Sequence, residues 1–419
     1  MNQNEALKVL KKGENVFLTG QPGTGKTYLT QQYIDYLKEK NISVSVTAST
    51  GIAATHLNGR TIHSWSGIGI KDTLSRKELY KIISNDHIYE RIKRCKVLII
   101  DEISMLPARN FEMVDIVCKE IKGSSLPFGG IQVILVGDFF QLPPIIKQRE
   151  QNSFLNNVFV YETDTWNNLN LQICYLDEQY RQDDLQYIDL LRSIRENNFD
   201  EKYLSFLEER KINQSQGDIL KLFTHNKNVD LINEQRLSQL KGESKSYLMR
   251  SEGIKEVVGS MKKNCLSPEK LTLKIGAEVM FTRNSPEGDF VNGTLGYVKS
   301  FDKETGLPVV ETRDGLSILV EPIDWILEEG YQLVAKITQL PLRLAWAITV
   351  HKSQGMSLDN ALIDLSKAFE YGQGYVALSR VKRLSGLYLL GWNSISFQVS
   401  PNVLEKDKEF RSLSNSILC

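Results

Sequence analysis

The chain has 419 residues, which is too long for one ordinary hydrophobic core and long enough for two or three domains. Hydrophobic residues make up 41% of it and charged residues 24%, as in globular proteins generally. Lys and Arg together number 51, as do Asp and Glu, so the formal net charge is zero. Bulk charge therefore gives no sign of a nucleic-acid partner, and any basic track must be local.

Cysteine usage and hydropathy narrow the protein class further. The five cysteines are odd in number and show no CxxC spacing, which argues against a disulfide framework or a zinc site: Cys95, Cys118, Cys174, Cys265 and Cys419. The N-terminal segment lacks a charged-then-apolar signal pattern, and no apolar run approaches the length that spans a bilayer. We expect a protein of the cytosol or the nucleoid that has no membrane partner.

Strands rich in β-branched residues alternate with helical stretches, which predicts an α/β fold with parallel sheets. In a first region the predicted strands are 16–19, 43–47, 97–100 and 133–136, and 27–40 has helical apolar spacing. A polar connector, 147–157, leads to a second α/β region that begins near Leu171. Its predicted strands are 220–224, 345–350, 361–365 and 387–390.

The second region is interrupted by a segment with a different sequence pattern. Residues 290–338 show alternating runs broken by the turn signals Asn292-Gly293, Glu304-Thr305-Gly306 and Arg313-Asp314-Gly315. This pattern predicts a small antiparallel β module inserted into the second α/β domain. The segment after Trp392 is polar and is predicted to be a loosely packed tail.

A phosphate-binding loop stands between the first strand and the first long helix. Residues 20–27 read GQPGTGKT and match the pattern GxxxxGK[ST]. Glycines let successive backbone N–H groups turn towards phosphate oxygens, and the helix N-terminus adds partial positive charge. Lys26 is predicted to reach the β- and γ-phosphates, and the Thr27 hydroxyl to bind Mg²⁺.

The strand 97–100 ends in two acids that supply the second half of a nucleotide site. Asp101 is predicted to lie near Mg²⁺, and Glu102 to polarise the attacking water. An apolar run that ends in Asp-Glu is common, and on its own it reads equally well as a solvated strand end. Together with the upstream loop it becomes a specific signal.

Three further polar residues are candidates for sensing or stabilising the γ-phosphate. Gln141 follows the strand 133–136 within GDFFQ, where its amide could orient water, although a solvated loop glutamine has the same pattern. Arg181 in EQYRQ and Arg380 in YVALSR could supply positive charge during phosphoryl transfer. By chemistry alone, a surface arginine is the favoured interpretation of either residue.

Taken in order, these segments resemble the superfamily-one DNA helicases, and specifically the Pif-type branch, which is related to RecD-like helicases. After the phosphate loop come 47–54 (TASTGIAA), 61–65 (TIHSW), 98–106 (LIIDEISML), 127–144 (PFGGIQVILVGDFFQLPP), 180–182 (YRQ), 276–280 (GAEVM), 291–294 (VNGT), 347–355 (AITVHKSQG) and 374–380 (GYVALSR). Residues 111–132 resemble the signature that marks the Pif branch. The resemblance covers the chain from Gln3 to about Trp392.

The resemblance implies two RecA-like domains with ATP in the cleft between them, an inserted SH3-like β module and a small wedge subdomain. The implied boundaries are 1–165 for the first domain with a wedge within about 60–95, 166–285 and 339–400 for the second domain, 286–338 for the β module and 401–419 for the tail. It assigns Lys26, Thr27, Asp101, Glu102 and Gln141 to the first domain, and Arg181 and Arg380 to the second.

The same resemblance implies ATP and Mg²⁺ as cofactors. It places Gln3 where such enzymes contact adenine, and it adds the following residues to the nucleotide site: Gly20, Gly23, Thr24, Gly25 and Gly355.

For DNA, the resemblance points to Thr50, Gly51, His63 and Trp65 on the first domain, and to Asn292, Thr349, His351 and Ser353 on the second. Hydroxyl and backbone N–H groups hold phosphates without reading sequence, and His and Trp can stack on unpaired bases. Outside their motifs, Trp65 reads as a core residue, His63 as a loop histidine and His351 as a strand cap. Such contacts predict binding with little sequence specificity that weakens steeply as salt rises.

The implied activity is ATP-driven 5′→3′ translocation on single-stranded DNA with unwinding of partial or forked duplexes. Resemblance also makes G-quadruplexes and RNA–DNA hybrids candidate substrates, and one chain carries both arginines, so a monomer suffices for hydrolysis. The basic segment 66–94 is interpreted in part as the wedge, although a solvated charged helix face would look the same.

Two other functions share part of this pattern. A DNA-dependent ATPase that moves on DNA without separating strands would use the same ATP residues and most of the same DNA residues, and strand displacement tells the two apart. A nucleotide-sensing switch would show no ATPase stimulation by single-stranded DNA, and it would have no need of Arg181, Arg380 or the motif around His351.

Overall fold

The computed structural model describes most of the chain, in two compact units. The described residues are 1–57, 59–69, 73–144, 158–212, 219–285, 288–290, 292–329 and 332–417, so the predicted connector 147–157, Lys71, Val291 and Cys419 lie outside them. Unit 1 comprises Met1–Arg181 and Val399–Cys419, and unit 2 comprises Gln182–Gln398.

Unit 1 is built on a parallel sheet whose strands follow the order β3-β2-β4-β5-β1-β6. The strands are β1 (Val16–Gly20), β2 (Val44–Ala48), β3 (Arg60–Thr61), β4 (Val97–Asp101), β5 (Gln132–Val136) and β6 (Gln172–Leu176). All residues of β1 are buried, as expected for a central parallel strand that is covered on both faces. The predicted strands 16–19, 43–47, 97–100 and 133–136 are confirmed to within a residue at each end.

Helices connect these strands and cover the sheet. They are α1 (Gln3–Leu10), α2 (Lys26–Glu39), α3 (Gly51–His56), α4 (Ile62–Ser66), α5 (Arg76–Ile83), α6 (Asp86–Arg94), α7 (Ala108–Lys122) and α8 (Asp164–Asn168). Capping boxes start α1, where Asn2 pairs with Glu5, and α5, where Ser75 pairs with Glu78. The apolar face of α2 packs on β1, which places the phosphate loop at the carboxyl edge of the sheet.

Unit 2 contains a second parallel sheet and an antiparallel module. The parallel strands follow the order β18-β7-β19-β20, and the antiparallel sheets follow β14-β13-β12-β11-β17, β15-β16-β9 and β10-β8. The strands are β7 (Lys221–Phe223), β8 (Lys245–Leu248), β9 (Arg250–Gly253), β10 (Lys270–Leu273), β11 (Glu278–Phe281), β12 (Leu295–Phe301), β13 (Pro308–Thr312), β14 (Ser317–Leu319), β15 (Ile323–Glu329), β16 (Gln332–Gln339), β17 (Leu342–Leu344), β18 (Ala347–Thr349), β19 (Ala361–Leu365) and β20 (Leu387–Trp392). The four parallel strands confirm the strands predicted at 220–224, 345–350, 361–365 and 387–390.

The helices of unit 2 are α9 (Leu185–Arg195), α10 (Glu201–Glu208), α11 (Asn226–Gln239), α12 (Lys255–Asn264) and α13 (Gln373–Leu378). One further helix, α14 (Pro401–Ile417), lies in unit 1. None of the described helices combines the length and the hydrophobicity that crossing a bilayer requires.

The antiparallel module is larger than the predicted span 286–338. Its strands begin at Lys245 and end at Leu344, and one hydrophobic core joins Leu271, Val279, Val298 and Leu342. The early strand β9 was missed because all four of its residues are exposed, so it carries no alternating apolar pattern. The predicted margins of this module therefore need correction.

The predicted boundary at residue 165 also needs correction, because β6 pairs along its whole length with β1 and so belongs to unit 1. The tail predicted to be loosely packed is helical. In α14 the Phe410 ring lies 5.1 Å from Phe17 and 5.9 Å from Trp166, and the Tyr175 hydroxyl donates to Asp407 over 2.9 Å. Its apolar residues are spaced too sparsely among charged ones to reveal this face in the sequence.

Candidate nucleotide and DNA sites

The loop after β1 is shaped by three glycines with positive φ: Gly20, Gly23 and Gly25. A Cβ on Gly20 would lie 2.5 Å from the carbonyl oxygen of Leu176, and one on Gly25 would lie 2.0 Å from Gln3 Nε2. The loop thus needs glycine both for its backbone angles and for the close approach of neighbouring groups. The Thr24 hydroxyl donates to the Gln21 carbonyl over 2.9 Å and closes the turn.

The ammonium group of Lys26 folds back on this loop. Its Nζ donates to the carbonyl oxygens of Gly20 and Gln21, at 2.8 and 3.0 Å. These bonds hold the cation at the loop that is predicted to receive phosphate. Thr27, the next residue, is exposed at the start of α2.

The order of the strands places the predicted motifs side by side along one sheet edge. Carboxyl ends of parallel strands meet at the same edge, and here β2, β4, β5, β1 and β6 are successive neighbours. The segments that follow them carry, in that order, Thr50, Asp101-Glu102, Gln141, the phosphate loop and Arg181. Residues as far apart in sequence as Gly20 and Arg181 are thereby gathered in one row.

The two acids at the end of β4 influence each other. Burial, and next the adjacent Glu102 carboxylate, raise the pKa of Asp101 to about 7, whereas the Glu102 backbone N–H, which donates to Asp101 over 2.8 Å, acts in the opposite direction. Glu102 itself adopts a left-handed backbone, φ 51°. A carboxylate that is costly to ionise alone suits a site for a cation.

These residues fit Mg²⁺ held together with a nucleotide. Among the described residues no group of three or more His, Cys, Asp and Glu side chains is arranged to hold a metal ion. Asp101 and Thr27 would therefore supply only part of a coordination shell, and nucleotide phosphates and water would supply the rest. The glycine loop, which a Cβ would obstruct, provides the matching place for phosphate.

Gln141 is buried on the neighbouring segment after β5. Its Nε2 lies 3.5 Å from Asp138 Oδ2, and its backbone N–H donates to the Asp138 carbonyl over 3.0 Å. The solvated-loop interpretation does not fit a side chain that is 7% exposed, and the predicted role of Gln141 in orienting water stays a prediction.

Arg181 and Gln3 both lie against the phosphate loop within unit 1. A Cβ on Gly23 would lie 2.5 Å from Arg181 Cβ, and the Tyr180 N–H donates to the Gly23 carbonyl over 2.9 Å. Gln3 Nε2 donates to the Thr24 carbonyl over 3.2 Å. The assignment of Arg181 to the second domain is therefore corrected, because β6 carries the residue to the loop from unit 1.

Arg380 belongs to unit 2, as predicted, and is buried just after α13. Its Nε donates to the Val376 carbonyl over 2.9 Å, and its Nη2 donates to the Ser379 hydroxyl over 2.8 Å. Gly355, with φ 78°, follows the 3₁₀ turn His351–Ser353 and is exposed.

The DNA candidates of unit 1 lie on α3 and α4. The Thr50 hydroxyl accepts from Ala53 N–H over 3.3 Å, and the buried Gly51 opens α3. His63 is half-buried, and burial lowers its pKa, so its ring is neutral near pH 7. Trp65 is 2% exposed, so its ring is packed as a core side chain, and its predicted stacking on a base stays a prediction.

One DNA candidate of unit 2 lies in the turn before β12, and the other three lie at the end of β18 or in the 3₁₀ turn after it. Asn292 is half-buried, with its N–H donated to Asn284 Oδ1 over 2.8 Å, and burial lowers the pKa of His351. The Thr349 hydroxyl accepts from Lys352 N–H over 3.4 Å. Ser353 is fully buried and its hydroxyl donates to the Val350 carbonyl over 2.7 Å, and its predicted phosphate contact stays a prediction.

Two residues of the site were missed in the sequence. Ser49 joins β2 to β4, because its hydroxyl donates to the Glu102 carbonyl over 2.6 Å and its N–H donates to the Asp101 carbonyl over 3.0 Å. Gln179 braces the loop through a 3.0 Å bond from Nε2 to the Pro22 carbonyl. Each adjoins a motif, Thr50 or Arg181, but nothing in local spacing distinguishes either from a solvated polar residue.

A parallel sheet with a GxxxxGK[ST] loop after one strand and an Asp-Glu pair at the end of another defines a P-loop nucleoside triphosphatase with a RecA-like core. Family comparison narrows this class. The family model of PIF1-like helicases matches residues 2–216, and that of the DNA helicase Pif1 2B domain matches residues 256–301. The chain therefore belongs to the PIF1-like helicase family, and its antiparallel module is the SH3-like 2B domain.

Relatives at the level of whole chains agree. The ATP-dependent DNA helicase Pif1 of Psychrobacter sp. is 41% identical over 99% of this chain and 71% of its own length. The Pif1 of Bdellovibrio bacteriovorus is 36% identical over 98% of this chain and 92% of its own.

Solved structures give the same result. Bacteroides sp. Pif1 in complex with ADP-AlF4 superposes with a TM-score of 0.86 at 29% identity, covering 99% of this chain and 97% of that one. The Bacteroides Pif1 structure bound to single-stranded DNA has a TM-score of 0.67 at 29% identity, covering 98% and 96%. The predicted fold class, with two RecA-like domains and an inserted SH3-like module, is confirmed.

Proposed function

We propose that this protein is an ATP-dependent DNA helicase that moves 5′→3′ on single-stranded DNA and unwinds duplexes. The observation that carries the proposal is the row of motifs along the carboxyl edge of the unit 1 sheet, in a chain of the PIF1-like family. ATP hydrolysis groups and DNA-binding candidates there occupy neighbouring strands, β4 and β2. A movement of β4 during ATP hydrolysis can therefore be passed directly to the DNA-binding candidates that follow β2.

In hydrolysis, the loop N–H groups and Lys26 would hold the phosphates, and Thr27 and Asp101 would hold Mg²⁺. The bound magnesium nucleotide supplies the scissile phosphoryl group and a cation that offsets its charge. Glu102 accepts a proton from the attacking water, and Gln141 orients that water. Arg181 and Arg380 stabilise the charge that develops on the transferred phosphoryl group.

The DNA track uses Thr50, the Gly51 backbone and His63 on unit 1, and Asn292, Thr349 and His351 on unit 2. Since burial lowers the pKa of both histidines, their rings contribute stacking and hydrogen bonding at neutral pH and no full positive charge. Support for the track comes from the related Bacteroides Pif1, which has been solved with single-stranded DNA.

The helix α5 is the candidate wedge. Arg76, Lys77 and Lys81 are exposed on it, and Tyr80 is 69% exposed between them. The basic residues of α6 are more engaged, since Arg91 donates to the Ser64 carbonyl over 3.3 Å. An exposed aromatic flanked by cations matches a surface that meets the ends of a nucleic-acid duplex.

The substrate range includes partial and forked duplexes, and it extends to G-quadruplexes and RNA–DNA hybrids, because stacking and phosphate contacts read no base sequence. A monomer is the functional unit for hydrolysis. A related structure concerns forked DNA and two coordinating Pif1 helicases, and it superposes with a TM-score of 0.67. Measuring the ATP turnover rate per chain against protein concentration distinguishes a monomer that acts alone from two copies that act together.

The test uses two partial duplexes, one with a 5′ single-stranded tail and one with a 3′ tail, each incubated with ATP and Mg²⁺. Lys26→Ala serves as the blank. Unwinding of only the 5′-tailed substrate supports the proposal, and unwinding of only the 3′-tailed substrate overturns its polarity. If neither duplex separates while DNA still stimulates hydrolysis, the protein is a translocase, and without any stimulation it is a nucleotide switch.

Glu102→Gln is the matched variant for the chemical step. It keeps the size and hydrogen-bonding reach of the side chain but removes the base, so ATP binding should persist while turnover stops. A Glu102→Gln protein that hydrolyses ATP at the wild-type rate would remove Glu102 from its proposed role.

A further inference from the structure

The side-chain amide of Gln182 forms hydrogen bonds with the backbone on both sides of Arg380. Its Nε2 donates to the carbonyl oxygen of Ser379 over 3.1 Å and to that of Val381 over 3.3 Å, and the side chain is 4% exposed. These bonds span nearly 200 residues of sequence within unit 2. Arg380, the residue between these two hydrogen-bonded carbonyls, is the arginine proposed to stabilise the transferred phosphoryl group.

The orientation of this amide follows from chemistry. Both neighbours of Nε2 are carbonyl oxygens, which only accept, so a flipped amide would set three acceptors against one another. In the described residues Gln182 Oε1 is buried and has no hydrogen-bond partner. A buried acceptor in that condition costs stability, which offsets part of what the two donated bonds contribute.

A second side chain from the same segment supports the same stretch. Tyr187 is fully buried in α9, and its hydroxyl donates to the Leu378 carbonyl over 2.6 Å. Gln182 and Tyr187 together hold the carbonyls of Leu378, Ser379 and Val381. We call this pair the arginine brace.

The backbone at Arg380 is held from another side as well. The Leu358 N–H donates to the Arg380 carbonyl over 2.8 Å, and the Arg380 N–H donates to Ala377 over 3.2 Å. The main chain of the arginine is therefore fixed by hydrogen bonds, and its buried side chain is itself bonded to the Val376 carbonyl and the Ser379 hydroxyl. Fixing the base of such a side chain limits where its guanidinium can reach.

We infer that Gln182 is a positioning residue for Arg380, and that it sets the guanidinium for its action on the transferred phosphoryl group. The inference rests on the function proposed above for Arg380. Gln182 also follows Arg181 directly, and the division between the two units falls at their shared peptide bond. One dipeptide thus contributes an arginine at the phosphate loop and the support of the other arginine.

The first test is Gln182→Met, which keeps the length and volume of the side chain and removes both donated bonds. We expect kcat of DNA-stimulated ATP hydrolysis to fall about tenfold or more while KM for ATP stays within about twofold, as for a misplaced transition-state contact. Binding of ADP with aluminium fluoride should weaken more than binding of ADP alone. A KM change with kcat intact would overturn the inference.

The decisive step is the double variant Gln182→Met with Arg380→Ala. If Gln182 acts only through Arg380, the double variant should turn over at the same rate as Arg380→Ala alone. A further fall in kcat would show that Gln182 acts elsewhere. If Arg380→Ala has a wild-type rate, the proposed role of Arg380 fails, whereas a slow Arg380→Ala with a normal Gln182→Met sinks only the inference.

Two further variants keep the test interpretable. Tyr187→Phe removes one hydroxyl, preserves the packing and decides the question if Gln182→Met does not fold: a lower kcat with unchanged KM supports the brace, and a wild-type rate overturns it. Asp183→Asn breaks an exposed ion pair with Arg383, 2.6 Å long, and should leave both constants unchanged. If kcat of Asp183→Asn fell as far as that of Gln182→Met, any change in this segment would lower turnover. That result would overturn the inference.

Discussion

The Ser49 hydroxyl donates a 2.6 Å hydrogen bond to the carbonyl oxygen of Glu102. The two residues directly follow neighbouring parallel strands, β2 and β4, whose register brings Ala48 opposite Asp101. Ser49 immediately precedes Thr50 and Gly51, which are DNA candidates, and Glu102 is the proposed base. This bond therefore directly links the proposed DNA track to the proposed hydrolytic centre.

Ser49→Ala should reduce the stimulation of ATP hydrolysis by single-stranded DNA several-fold and should change the basal rate less. The loss of one buried hydrogen bond costs roughly 1 kcal/mol and frees the Glu102 backbone from the DNA-side loop. The measurement is kcat with and without single-stranded DNA. Ser43→Ala, an exposed serine just before β2, is the control, and equal stimulation in both variants would contradict the proposed link.

Asp101→Asn should stabilise the nucleotide-free protein at pH 8. The folded-state pKa of Asp101 is raised from 3.8 to about 7 by burial and by Glu102, so the native state binds more protons than the unfolded state between these values. Stability is therefore lost as pH rises through that window, and the neutral amide avoids the loss, by on the order of 1 kcal/mol or more at pH 8. Thermal unfolding at pH 4 and pH 8 measures the effect.

The difference between Asp101→Asn and the wild type should shrink towards pH 4, where the folded wild-type carboxyl is protonated and the unfolded one is already partly protonated. Magnesium and nucleotide should narrow it at pH 8, because a bound cation favours the ionised carboxylate. A gain in stability that is the same at both pH values would show that the cause is packing and not ionisation.

Gly23→Ala should abolish ATP binding, because a Cβ there would lie 2.2 Å from Gln179 Oε1 and 2.5 Å from Arg181 Cβ. Gly13→Ala is a matched control: Gly13 has a similar φ, 86° against 92°, and nothing lies within 4 Å of its added Cβ. Both substitutions carry the left-handed backbone penalty of roughly 1–2 kcal/mol. Only the first should lose nucleotide affinity in equilibrium titration; equal losses would mean that strain alone is responsible.

Phe410→Ala should loosen the sheet of unit 1. The ring packs on Phe17 of β1 and lies 6.1 Å from Phe139, so its removal leaves a cavity that costs about 3–5 kcal/mol. Hydrogen exchange of the β1 and β6 amides should accelerate accordingly. Leu413→Ala, on the exposed side of α14, should leave the exchange rates unchanged. If the β1 and β6 amides of Phe410→Ala exchanged as slowly as those of the wild type, the stabilising role of this helix in unit 1 would be refuted.

The sequence by itself determined the chemistry and the local elements. The phosphate loop, the Asp101–Glu102 pair and the eight predicted parallel strands follow from residue types and spacing within short windows. Glycine is required at the loop by local backbone geometry, and buried parallel strands read as continuous apolar runs. Such signals survive without any knowledge of what packs nearby.

Only the tertiary structure decided which distant residues meet. Strand order, not sequence spacing, brought Arg181 to the phosphate loop, and the packing of neighbouring elements buried the Trp65 and Ser353 side chains. The margins of the antiparallel module and the helical fold of 401–417 also depended on partners far along the chain. Hydrogen bonds such as Gln182 to Ser379 join segments nearly 200 residues apart, and their geometry is set by the packing of whole elements, which no local pattern encodes.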